Sequence, residues 1–310
     1  IDGLLQHERD SLDAVAILTP TPLHSQMVIQ CLQQGMPVIC EKALASSTDD
    51  VERITDIWQQ KNGFLTVIYN YSGYPMVREL RHLVENGNLG RICHIQAEMP
   101  QEGFLRTDKK GHPASPQKWR LNDAQLPTIY LDLAVHLHEL VYYLTSLSPL
   151  EVIGDHASYG HFGVVDYASY LCRYTEDVRA QFHFTKSSLG ARNGLRLYLA
   201  GTRGSAEWIQ TNPEELNLAY ADGRREIMDR ASNVAVASQP RYNRFKPGHP
   251  AGFNEALANI YQDIHTSLTH YQCYGTQASR EVFGPTLAKD GFNFMDAMVR
   301  SAATNTWQQV

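Results

Sequence analysis

The chain has 310 residues, 43% of them hydrophobic and 19% charged, with a formal charge of −6. At roughly 150 residues per domain this is about two domains of ordinary globular composition, and the acidic balance argues against a nucleic-acid-binding surface. No apolar run approaches the ~18–20 residues of a membrane span, and the five cysteines, scattered and without CxxC spacing, suit reduced thiols in a cytoplasmic protein rather than a disulfide or zinc scaffold.

The first ninety residues alternate strand and helix patterns. A continuous apolar run over 14–18 suits a strand buried on both faces of a parallel sheet. Thr19-Pro20-Thr21-Pro22 ends it, and Met27, Val28, Cys31 and Leu32 then recur at helical spacing up to Gly35. A second strand falls at 38–40. A helix opens at Ser47-Thr48-Asp49-Asp50, a third strand spans 64–68, and another helix covers 75–85. Such repetition implies a parallel sheet with right-handed crossovers. After Gly90 the pattern changes. Strands are expected at 91–98, 151–158, 167–174, 178–184, 195–200 and 206–210, with weaker ones at 216–220 and 225–228, as in a largely antiparallel sheet. The segment 100–126 reads as a long loop, a kind that is usually functional. Helices are expected at 129–145, 250–269 and 290–308. The fold class is α/β, a partial parallel-sheet domain over 1–90 and an α+β domain with an open antiparallel sheet over 91–310, the last helix packing back on the first domain.

Few residues have chemistry and position together. Glu41-Lys42 follow the second strand, and in open α/β sheets ligands bind outside the carboxyl ends of the strands. A lysine there can reach a ligand, and partial burial tunes it as an acid or base. An ordinary solvated Glu-Lys pair explains the dipeptide equally. Asp132 and His136 stand four apart in an apolar helix, where an aspartate can orient an imidazole. A structural pair, or two of the ligands of a metal, would show the same spacing, but no third ligand is evident and no metal is expected. Thr19, Pro20 and His24 border the turn after the first strand, Asn70 and Tyr71 follow the third, and Trp119-Arg120 close the long loop. GxSxG and P-loop signatures are absent from the sequence.

Taken in order, these segments resemble the glucose-fructose oxidoreductase, inositol dehydrogenase and rhizopine-catabolism (Gfo/Idh/MocA) family. The resemblance lies in Leu12 to Pro20 followed by His24, Gly35 to Lys42, Asn70-Tyr71 with Pro75, and Leu131 to His136. The tail shares it, through Gly248 to Ala256, Pro285-Thr286, Asp290-Gly291 and Ser301-Ala302. The resemblance implies a nicotinamide cofactor, NAD or NADP, and reversible hydride transfer at a hydroxyl-bearing carbon of a sugar, anhydrosugar or cyclitol. It makes Lys42, Asp132 and His136 catalytic: His136 takes the hydroxyl proton, Asp132 orients His136, and Lys42 polarises the oxygen or shares the proton relay. It places Thr19, Pro20, His24, Glu41, Lys42, Asn70, Trp119 and Arg120 at the cofactor. It also implies a homo-oligomer, dimer or tetramer, through an exposed sheet face.

The sequence departs from the family pattern in places. Ala43 replaces the proline of the Glu-Lys-Pro segment, Pro127-Thr128 replace a glycine pair, and Ala134 stands where glycine is common. A Gly-x-Gly-x-x-Gly turn, which would hold the pyrophosphate, is missing from the sequence. Two βαβ units would add roughly 60 residues before Ile1, so the sequence is read as starting inside the nucleotide domain. A partial sequence, a naturally shortened paralogue and a binding protein without cofactor are the competing explanations. The alternative functions are an NAD-dependent glycosidase of the same fold and a non-enzymatic sugar-sensing paralogue.

Overall fold

The computed structural model describes residues 2–249 and 252–310. A short helix, α1 (Asp2–Glu8), comes first, then the strands β1 (Val15–Ile17), β2 (Val38–Glu41) and β3 (Leu65–Ile68). These form a three-stranded parallel sheet in the order β1-β2-β3. All four residues of β3 are buried, as a strand covered on both faces requires. The crossovers are α2 (His24–Gln33) and α3 (Thr48–Lys61), and α4 (Pro75–Glu85) follows β3. Ser47 caps α3 by accepting from the Asp50 N–H at 3.2 Å, and Asn62 ends it in the left-handed region at φ 45°.

The rest of the chain builds a nine-stranded sheet. Its strands are β4 (Ile92–Pro100), β5 (Pro149–Ala157), β6 (Tyr167–Tyr174), β7 (Arg179–Thr185), β8 (Arg196–Gly201), β9 (Gly204–Ile209), β10 (Leu216–Tyr220), β11 (Arg225–Met228) and β12 (Gln308–Gln309). Their order is β11-β10-β9-β8-β4-β7-β6-β5-β12. Only β4 and β7 pair in parallel, so the sheet is largely antiparallel. Along β6 the side chains alternate, Ala168, Tyr170, Cys172 and Tyr174 facing the core, as half-buried strands do.

Three helical expectations change. The helix expected over 129–145 opens as a π turn, Tyr130–Ala134, before it settles into α5 (Val135–Thr145). The helix expected to start at Pro250 begins on a residue outside those described. The structure shows α6 (Phe253–Tyr274), where Glu255 reaches back to the Gly252 N–H at 2.8 Å. The last helix, α7 (Pro285–Thr304), starts earlier and ends earlier than expected, because Pro285 suits a first helical turn and Asn305 adopts φ 54°. It freed the terminal residues to pair as β12 with β5.

One helix ties the sheets together, and a second covers the end of β3. α7 packs on β5 and also on α3 and β3. α6 lies across the 3₁₀ turn Tyr71–Gly73 after β3. The approach is close: a Cβ on Gly73 would stand 2.1 Å from the Ala256 carbonyl oxygen, so only glycine fits. The region between the carboxyl ends of β2 and β3 and the start of α5 is where the polar residues collect.

Candidate active site

The π turn presents Asp132, only 7% exposed, toward the end of β2. Lys42, one residue beyond β2, donates from Nζ to both the Asp132 carbonyl and its Oδ1, each at 2.8 Å. Lys186, one residue beyond β7, and Arg120 both donate to Asp132 Oδ2. Three basic side chains from three segments therefore share one carboxylate. The Lys42–Ala43 peptide is cis, and with alanine at that position Lys42 still reaches Asp132.

Crowding and burial perturb the amines. Burial, then the charge of Arg120, lowers Lys42 to about 7, with Glu41 opposing. Burial, then Arg120 and Lys42, lowers Lys186 to about 6. Burial and the neighbouring Lys42 push His136 well below the usual imidazole range, so it is neutral near pH 7. Burial also raises Glu41. An amine held near neutrality can give or take a proton, which a normal lysine cannot do efficiently.

The orientation expected between Asp132 and His136 is not formed. The Asp132 carboxylate is occupied by the two lysines and Arg120, and His136 Nδ1 is buried without a hydrogen-bond partner. The reason lies across the cleft: Asp132 is turned to the basic side chains that hold both of its oxygens, so none is left for the imidazole. His136 instead stands edge-on to the Tyr71 ring, 4.7 Å between centroids.

Two cavities meet at this cluster. The larger, about 1390 Å³, is lined by Glu41, Lys42, Asn70, Tyr71, Asp132, His136 and Lys186 on one side and by residues of the 101–107 and 189–193 loops on the other. The smaller, about 190 Å³, is lined by Thr19, Pro20, Gln117, Trp119 and Arg120. Glu41, Lys42, Arg120 and Asp132 line both. Arg120 stacks on the Trp119 ring, 4.7 Å from its centroid, and the Trp119 indole donates to Gln117 Oε1 at 2.8 Å. The long loop thus contributes to both cavities.

His24 behaves differently from the other singled-out residues. It is 1% exposed and lines neither cavity. Its ring nitrogens lie 2.7 Å from the carbonyls of Ala43 and Thr19, so it clasps the turn after β1 to the turn after β2. Asn70 is 7% exposed at the large cavity, with its Nδ2 unpartnered. Lys186 is absent from the sequence reading. The signal existed, a lysine just after an apolar strand as at Lys42, but it lies in the antiparallel region, where no rule puts ligands at strand ends. Asn193 also lines the large cavity: Nδ2 donates to the Tyr71 hydroxyl at 3.1 Å, and Gln101 Nε2 donates to its Oδ1 at 2.6 Å. Among the described residues no group of three His, Cys, Asp or Glu is placed to hold a metal, and no helix is long and apolar enough to cross a membrane.

A dinucleotide's nicotinamide end fits this geometry. The smaller cavity sits at the carboxyl ends of β1 and β2, where such folds take that ligand, and Lys42 on its wall also faces the larger cavity, where the Asn70 amide is unpartnered.

Residues 1–69 match the oxidoreductase family with an NAD-binding Rossmann fold, and residues 77–207 match the GFO/IDH/MocA C-terminal domain. The chain belongs to the Gfo/Idh/MocA family of NAD-binding oxidoreductases. Over 269 residues it is 27% identical to the uncharacterized oxidoreductase YfiI of Bacillus subtilis, covering 82% of this chain and 65% of that protein. It is 26% identical over 330 residues to the levoglucosan dehydrogenase of Pseudarthrobacter phenanthrenivorans, covering 96% of this chain and 80% of the relative. Among solved structures, an inositol dehydrogenase homolog from Azotobacter vinelandii, complexed with NADH and myo-inositol, superposes with a TM-score of 0.85 at 19% identity. That match covers 98% of this chain and 79% of the other.

Proposed function

We propose that this protein is a nicotinamide-dependent dehydrogenase that oxidises a hydroxyl-bearing carbon of a sugar, anhydrosugar or cyclitol. The observation that carries the reading is the convergence of Lys42, Lys186 and Arg120 on Asp132, on the wall shared by the two cavities. The names of relatives support the substrate class: levoglucosan dehydrogenase, 1,5-anhydro-D-fructose reductase and myo-inositol 2-dehydrogenase.

The smaller cavity takes the nicotinamide end of the cofactor, with Thr19, Pro20, Trp119 and Arg120 around it and Glu41 and Asn70 at its border. When bound, the cofactor supplies the hydride acceptor. The larger cavity takes the substrate, its hydroxyls met by Asn70, Tyr71, Asn193 and Lys186. Lys42, held near pH 7 as an amine, accepts the proton of the reacting hydroxyl. His136, neutral and with Nδ1 enclosed, is a hydrogen-bonding partner for that hydroxyl rather than its base. This moves the base from His136 to Lys42, which the resemblance had given only the oxygen to polarise or a share of the proton relay. Positive charge from Arg120, together with the N–H donors of Lys186, favours the oxygen as it becomes anionic. Asp132 fixes both amines and keeps that charge from repelling itself.

The test is cofactor reduction with a panel of sugars, anhydrosugars and cyclitols, in the wild type and in Lys42→Met. Loss of general base catalysis is expected to lower kcat by about 10²–10⁴-fold. Undiminished kcat in Lys42→Met refutes the assignment.

A further inference from the structure

The large cavity changes character from floor to mouth. At the floor, Asn70, Tyr71, Asp132, His136 and Lys186 are at most 7% exposed and nearly all polar at the tip. At the mouth stand Leu189 and Phe253, 67% and 48% exposed, with Leu257 beside Phe253 one helical turn along α6. An apolar rim around a polar floor is the lining a ligand with a polar and an apolar end would match. The volume points the same way, since about 300–1,000 Å³ already encloses a drug-sized molecule and this cavity measures about 1390 Å³.

A free monosaccharide is hydroxylated around its rim. Seated with its reacting carbon at Lys42, it uses the polar floor and leaves Phe253 and Leu189 in water. A second ring joined to it places an apolar face at the mouth. Aromatic side chains pack well against such faces. The mouth is also held in position. The Gly190 N–H donates to Glu102 Oε2 at 2.9 Å, joining the two rim loops. Glu255 fixes the start of α6, where Phe253 is the first residue.

We infer that the substrate is a glycoside, a sugar oxidised at the floor while its second ring packs on Phe253 and Leu189 at the mouth. This rests on the dehydrogenase reading and narrows it. The second ring is either an aromatic aglycone or another sugar, and both present the same apolar face.

The experiment measures kcat/KM for matched sets: a free hexose, its methyl glycoside, its phenyl glycoside and a disaccharide. Wild type, Phe253→Ala and Leu189→Ala are compared. The two-ring compounds are expected to exceed the free hexose by tenfold or more, chiefly through KM, and Phe253→Ala to erase most of that ratio. The phenyl glycoside and the disaccharide then show which second ring is preferred. A free hexose that matches both, or a ratio unaltered in Phe253→Ala, overturns the inference. If no compound reduces the cofactor, the dehydrogenase reading fails separately. Saturation-transfer NMR on the same compounds then reads binding directly, and equal binding of one-ring and two-ring sugars overturns the glycoside assignment.

Discussion

Replacing Glu139 with glutamine tests the electrostatics of the core behind the site. Glu139 lies on α5, fully buried, and neither carboxylate oxygen has a hydrogen-bond partner. Burial raises it to about 8 from 4.5, with the nearby Ser72 hydroxyl, then Arg78 and Arg81, pulling it only part of the way back. In the folded protein it is therefore a neutral acid at pH 7, whereas the unfolded chain releases that proton above about 4.5. The unfolded state binds fewer protons in this window, so stability falls as pH rises. The contribution is fully present below pH 4.5, declines up to about 8 and is flat beyond. Each pH unit is worth about 1.4 kcal/mol, so the whole window amounts to something on the order of 5 kcal/mol. Glutamine does not titrate. Whatever the amide costs in absolute terms, the stability of Glu139→Gln relative to wild type should climb by about 1.4 kcal/mol per unit across the window. Urea unfolding at several pH values between about 5 and 8 measures it. Two parallel stability curves would refute the reasoning, because they would mean that Glu139 is ionised in the fold or solvated.

The site itself gives a pH prediction. With Lys42 near 7 and acting as base, kcat/KM for oxidation should rise as pH passes about 7 and level off above it. Arg120→Leu removes one of the positive charges that depress Lys42, so the limb should move to higher pH; a limb that stays or moves lower contradicts the assignment. Gly73→Ala pushes a methyl group into the Ala256 carbonyl, which should cost about 1–3 kcal/mol of unfolding free energy. It should also raise substrate KM, since α6 carries part of the cavity mouth. An alanine variant as stable as wild type would show that α6 is free to shift.

The elements that were legible in the sequence have periodic signatures. The strand over 167–174 and the weak strands over 216–220 and 225–228 coincide with the observed ones, because alternation and turn residues bound them locally. Lys42 stood out because it follows a buried parallel strand. Lys186 did not, because its importance depends on a contact with Asp132, 54 residues away, which nothing local encodes. The π turn was equally hidden: its residues, Tyr-Leu-Asp-Leu-Ala, are as suitable for an ordinary helix, and the choice is made by what Asp132 meets across the cleft. His24 was visible as a residue of interest, but its clasp on Ala43 and Thr19 belongs to the packing of two turns.

That π turn also sets a rule for length in this part of the chain. It holds one residue more than an α-helical path between the same ends would need, and each residue turns an α-helix by about 100°. Shortening 130–134 by one residue would let the helix run straight through with α5 undisturbed. The two ends would keep their places, and the change would fall on the bulge itself, so that Asp132 lost the position from which it meets Lys42 and Lys186 while His136 stayed where it is. The spacing of this segment is therefore constrained more tightly than its composition: many substitutions there preserve the site's geometry, but no single deletion does.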